Sequence, residues 1–228
     1  MSVESGSITP PSEASLGRVI GQTLVALVVA ILAYQAFHFW TRDPLHYIVD
    51  HTERSFGTYW PRRWWLLFHI GGGTLALFVG PFQLWSGLRS RFLNFHRITG
   101  LLYIIGVGVG GASGFYMSFF SEPRDFGVAL FMLAFAWWLT VGMAFLAIKR
   151  RRIDAHKEWM IRGYVVTFAF VAFRYLVDLP VFEPLGAARA STVGWLCWVV
   201  PLLVTEAMLQ WRRTVGPINK SLTASRAV

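Results

Sequence analysis

Six apolar runs of roughly twenty residues each leave few folds open to this chain of 228 residues. The run Trp64–Leu84 is representative: twenty-one residues with a single ionisable side chain, His69, inside it. A helix of about 20 apolar residues crosses the ~30 Å hydrocarbon core of a bilayer. An ionisable group within such a span is costly unless it faces the bundle interior and has a partner or a task there. The expected fold is therefore all-α, a polytopic membrane helix bundle of about six transmembrane helices. They are placed at about residues 16–40, 64–84, 98–120, 126–148, 159–179 and 193–211. In domain terms this is a disordered N-terminal segment, 1–15, one bundle, 16–211, and a cytoplasmic tail, 212–228.

Composition agrees with lipid as a partner. Hydrophobic residues make up 55% and charged residues only 14%, against about a quarter charged in soluble domains. The net charge of +9 raises nucleic acid as a partner. The basic residues, however, lie in short loops between apolar runs, where they act as topology signals, so no nucleic-acid partner is expected. Thirteen Lys and Arg fall on the side holding both termini and the second and fourth loops, and six on the other. That bias puts both termini in the cytoplasm. The lone cysteine, Cys197, excludes an intrachain disulfide and any C-x-x-C-H haem attachment. The amino terminus lacks the basic region of a secretory signal, so the first run reads as a retained anchor.

The second and third runs resemble the fourth and fifth. Each pair is joined by a basic turn ending in a small polar residue, any residue, His and a cation: Asn94-Phe95-His96-Arg97 and Asp154-Ala155-His156-Lys157. The histidines are 60 positions apart, which points to a parallel repeat. Asn94 and Asp154 read as N-caps of the helices that follow. In the third run Gly106, Gly110 and Gly114, with Gly108 and Gly111 beside them, form a flat stripe for another helix or a planar ligand.

Chemistry must come from the polar residues within the spans. His96 and His156 share a depth at the cytoplasmic end. They are either interfacial groups near lipid phosphate or opposed axial ligands of a haem iron, with Arg97, Lys157 or Arg162 meeting the propionates. His69 lies about 22 Å from Leu84 along the helix, toward the periplasmic half. His38, near the outer end of the first run, could form a second haem pair with it or serve as an interfacial residue. Arg174 and Asp178, one turn apart, form an interfacial ion pair or, with His69, a polar pocket for an anion, a quinone head-group or a proton. Glu206 sits at a depth to meet Arg162 or His156. The loop residues Asp43, His46, Asp50, His51 and Glu53 offer candidate ligands for a divalent metal. No H-E-x-x-H, Walker A or G-x-S-x-G motif is present.

His69, then Gly80-Pro81-Phe82-Gln83, Arg89, Arg91 and His96-Arg97-x-x-Gly100-x-x-Tyr103 form one half of a longer pattern. Its second half is Trp138, then His156-Lys157-x-Trp159-Met160-x-Arg162, and Arg174. Over about residues 64–180 the pattern resembles the bacterial membrane family labelled domain of unknown function 2306. The resemblance implies a multi-pass protein of the bacterial inner membrane. Two function classes remain from the residues. One is a b-type haem (heme b) membrane electron-transfer protein with a quinone or other redox partner. The other is a non-redox small transporter or assembly protein whose His, Arg and Asp residues are structural.

Overall fold

The computed structural model describes residues 56–215, together with scattered helical positions of the first apolar run between Thr23 and Thr41. Five long helices carry the bundle: α1 (Arg63–Leu84), α3 (Leu93–Ser118), α4 (Arg124–Lys149), α5 (Ile153–Leu176) and α6 (Arg189–Thr214). A short helix α2 (Ser86–Arg91) lies between α1 and α3, and a 3-10 segment, Pro180–Ala188, leads into α6. All regular structure among the described residues is helical. Four stretches are long and apolar enough to cross a membrane: Phe56–Leu84, Leu93–Ser118, Arg124–Lys149 and Pro180–Trp211. With these, the protein is an all-α membrane helix bundle.

Helix α5 is not among the four, because Arg162 and Arg174 interrupt its apolar stretch. It does not need a lipid-facing composition on every side. It packs against α1, α4 and α6 and buries Met160, Gly163, Val166, Thr167, Ala169 and Val171. Around it the outer helices expose large apolar side chains such as Ile98, Leu101, Ile105, Phe135 and Leu139. That distribution suits lipid, which solvates such side chains as well as a core does.

Two helices start earlier than hydropathy predicts. α3 begins at Leu93 and α5 at Ile153, so the amides of His96 and His156 already bond the carbonyls of Phe92 and Arg152, at 3.1 and 2.9 Å. Asn94 and Asp154 are therefore not N-caps but first-turn residues; the capping positions are Phe92 and Arg152. Hydropathy ends at the hydrocarbon edge, whereas backbone hydrogen bonding continues through the interface. Asp154 instead complements the positive helix terminus and takes a 2.9 Å hydrogen bond from Lys157, which holds its carboxyl below the usual carboxylate range. Both histidines occupy the fourth position of their helices, so the two halves of the repeat share a register.

The α1–α3 contact is built on glycine. A Cβ on Gly72 would lie 2.5 Å from the Gly110 nitrogen, and one on Gly106 would lie 2.8 Å from the Gly72 oxygen. Backbone meets backbone here, the close approach that small residues permit in membranes. The glycine stripe thus packs a helix at Gly106 and Gly110. Farther along, Gly111 makes room for the Trp138 indole and Gly114 for the His69 ring.

Candidate functional site

Three polar groupings sit along the bundle axis: one at the end carrying the basic turns, one near the middle, and one in the opposite half.

At the basic end, His156 Nδ1 lies 2.9 Å from the Ala144 carbonyl. A carbonyl only accepts, so Nδ1 carries the proton and Nε2 is left with its lone pair. His96 Nδ1 is buried without a hydrogen-bond partner. The two repeated histidines stand at the same end of the bundle, each in the first turn of its helix. The cations beside them divide. Arg97 is exposed. Lys157 bonds Asp154. Arg162 donates from Nε and Nη2 to Glu206 Oε2 at 2.8 and 2.5 Å, and lies 3.6 Å from Glu158. Arg213 on α6 completes this ionic network at Glu158. Arg162 thus ties α5 to α6, meeting Glu206 as its depth suggested, and its guanidinium is occupied.

Gln83 belongs to the same end. Its Nε2 donates to Thr99 Oγ1 at 2.6 Å and reaches the His96 carbonyl at 3.3 Å, so the Gly80–Gln83 motif holds the first turns of α3. Pro81 explains another part of that motif. A proline within a helix has no N–H for the carbonyl four residues back, here Leu77. Tyr164 on α5 supplies the missing donor, its hydroxyl 3.3 Å from the Leu77 oxygen. Gly80 is what lets the Tyr164 ring lie against α1, since a Cβ there would run into it.

Near the middle, Thr167 is a saturated junction. Its hydroxyl donates to the Gly163 carbonyl at 2.9 Å and accepts from the Trp137 indole at 2.8 Å. The Tyr103 hydroxyl, 2.9 Å away, must then be a second donor to it. Tyr103 is fully buried. One oxygen thereby joins α3, α4 and α5 where water cannot substitute.

In the opposite half, His69 Nδ1 donates to the Gly110 carbonyl at 2.8 Å, and its ring packs on Phe170 with centroids 4.6 Å apart. Nε2 is again the atom left with a lone pair. His69 lines a cavity of about 230 Å³ that also touches Arg174, Phe170, Phe173, Trp137 and Thr167. The expected His69–Arg174 pocket is therefore assembled, without its third member. Asp178 lies in the turn beyond α5, is exposed and does not line the cavity, because α5 ends at Leu176 rather than 179. His38 stacks on Tyr34, with centroids 6.1 Å apart, and does not line the cavity either. Asp43, His46, Asp50, His51 and Glu53 lie outside the described residues. Among the described residues no three His, Cys, Asp or Glu side chains converge to hold a metal ion.

Sequence reasoning passed over Thr167, Trp137, Tyr164 and the hydrogen bonding of Gln83. The available signal was polar atoms inside apolar runs, which must find partners in lipid.

The profile of a family described as "Predicted membrane protein (DUF2306)" matches residues 66–209. The match runs past the motif block into α6, so the last helix lies within the family's extent although it carries none of the signature residues. No protein of curated description and no solved structure matches the chain.

Proposed function

Because the chain belongs to the DUF2306 family of predicted membrane proteins, we propose that it works within the bacterial inner membrane, both termini cytoplasmic, as a b-type haem electron-transfer protein. The observation that carries this reading is the His96–His156 pair. Two imidazoles of a repeated motif stand at one end of the bundle, each at the fourth position of its helix. His156 is held by Ala144 in the tautomer that frees Nε2, the orientation a ligating histidine ordinarily receives from a carbonyl behind it. The buried, unpartnered Nδ1 of His96 marks a site lacking one polar contact. The donor set, two imidazoles, fits a low-spin haem b. When bound, haem supplies a one-electron couple to a membrane of otherwise redox-inert side chains. Ala144 fixes the His156 ring, and the exposed Arg97 is the cation left to face a propionate, Arg162 being held by Glu206.

The test is the spectrum of protein purified from cells supplied with haem precursor. A low-spin Soret band is expected. His96→Ala and His156→Ala should each abolish or convert it, while His69→Ala leaves it in place. Colourless protein overturns the reading. Low-spin spectra retained in both single variants would keep haem and reject these ligands.

A second reading, a non-redox small transporter or assembly protein, draws on the cavity beside His69. At about 230 Å³ it falls under the ~300–1,000 Å³ of pockets for drug-sized ligands, and it suits a small molecule rather than a macrocycle.

A further inference from the structure

We infer that the turn between α4 and α5, Lys149–Arg152, is a binding site for the head-group of an anionic phospholipid in the leaflet where it lies. The inference rests on this turn alone and stands whether or not the bundle holds haem.

Position comes first. The turn is flanked directly by Ile148 and Ile153, and both isoleucines are exposed. Exposed isoleucines of a membrane bundle belong in lipid, so the cations between them sit at head-group level rather than out in water. Phe145, one turn back, is exposed as well, and the Lys149 ammonium lies 5.6 Å from its ring centroid. Charge then selects the guest. Arg150, Arg151 and Arg152 are exposed, and among the described residues no carboxylate pairs with them. The described acids of this end face other cations: Asp154 meets Lys157, Glu158 meets Arg162 and Arg213, and Glu206 meets Arg162. A phosphodiester suits the guanidinium fork, which holds it through two parallel N–H bonds. A zwitterionic lipid would bring an ammonium too, and it would meet these cations and, among the described residues, no acid left unpaired. An anionic head-group brings only the phosphate.

The backbone supplies a second, independent observation. α4 closes with the Arg152 amide on the Ala147 carbonyl at 2.9 Å and the Arg151 amide on the Ile148 carbonyl at 3.0 Å. That pairing puts the residue after the cap in the left-handed region, where glycine is usual because a Cβ is penalised. Here the residue is Arg151, with φ of 57°. Glycine would close the helix without strain. Topology does not account for the arginine either, since Lys149, Arg150 and Arg152 already supply the charge that orients the chain. A strained residue that the fold could relieve points to function. A further guanidinium at head-group level raises affinity for anionic lipid, by about fivefold per cation.

The experiment is native mass spectrometry of the full chain, released from neutral micelles doped with phosphatidylglycerol or with phosphatidylcholine. The first phosphatidylglycerol should bind about tenfold or more tighter than the first phosphatidylcholine. Arg151→Gly should cut that preference about fivefold. In lipid-free neutral micelles the same change should raise the unfolding midpoint, because glycine adopts the left-handed conformation freely. An arginine kept for the fold alone would lower the midpoint and leave the preference as it was. Arg150→Gln with Arg152→Gln should weaken the preference further, and Arg124→Gln, at the opposite end of α4, should leave it intact. Equal binding of the two lipids, a preference unchanged in the turn variants, an equal loss in Arg124→Gln, or an Arg151→Gly midpoint below the parent's overturns the proposal. Displacement of the lipid by excess glycerol phosphate would replace it with a site for soluble phosphate.

Discussion

Thr167→Val is the most revealing single change available in this bundle. It removes one oxygen and keeps the branched shape, yet it strands two donors at once, the Trp137 N–H and the Tyr103 O–H, both 2.8–2.9 Å from that oxygen. The third bond, to Gly163 one turn back, vanishes with the donor and strands only a carbonyl that the helix already engages. A buried donor left unsatisfied costs about 1–3 kcal/mol in water-soluble proteins. Interhelical hydrogen bonds within membranes measure lower, ~0.6 on average and ~1.7 at most. Two stranded donors therefore predict a loss of about 1–3 kcal/mol. Tyr103→Phe removes one of those donors outright and leaves Thr167 with Trp137 and Gly163, so it should cost about 1 kcal/mol. The decisive quantity is the double variant. With Tyr103→Phe already in place there is no hydroxyl at that position for Thr167→Val to strand, so the pair should cost less than the two singles together by about 1 kcal/mol. Equilibrium unfolding of detergent-solubilised protein by SDS, followed by circular dichroism, reads all three. Additive costs, or a Thr167→Val variant as stable as the parent, would refute the junction.

Tyr164→Phe should destabilise by about 1 kcal/mol by depriving the Leu77 carbonyl of its donor; in a Pro81→Ala background, where the backbone supplies its own N–H, the same change should cost clearly less. Gly106→Ala would set a methyl against the Gly72 oxygen and the Ala76 nitrogen, at 2.8 and 3.0 Å, and should cost about 1–3 kcal/mol. Gly108→Ala meets nothing within 4 Å and should be neutral or stabilising through helix propensity, so equal effects in the same unfolding assay would contradict the packing. Reporter fusions at Ser90, Ala155 and the carboxyl terminus should signal cytoplasm, and fusions at Glu122 and Gly186 periplasm. A periplasmic signal from Ala155 would invert the orientation.

Membrane residence and helical class are properties of segments, and so they were legible along the chain. Apolar length makes Trp64–Leu84 and its counterparts helices that belong in lipid, because transfer of a run depends on its own composition and hardly on its neighbours. The repeated His-cation turns and the Gly80–Gln83 and Trp159–Arg162 motifs placed the chain in its family for the same reason: they can be read along one strand of text. The shared register of His96 and His156, each fourth in its helix, was likewise legible, since the two turns repeat one motif. Rotation about each helix axis was not. Whether Gly106 meets a helix or a ligand, which donor answers the carbonyl that Pro81 strands, and that Thr167 rather than any charged residue joins three helices depend on interhelical register. Register is set by the backbone contact of Gly72 with Gly106 and Gly110. The cavity beside His69 is decided at the same level. It is the space left between the helices that line it once those contacts are made, and no single segment encodes it.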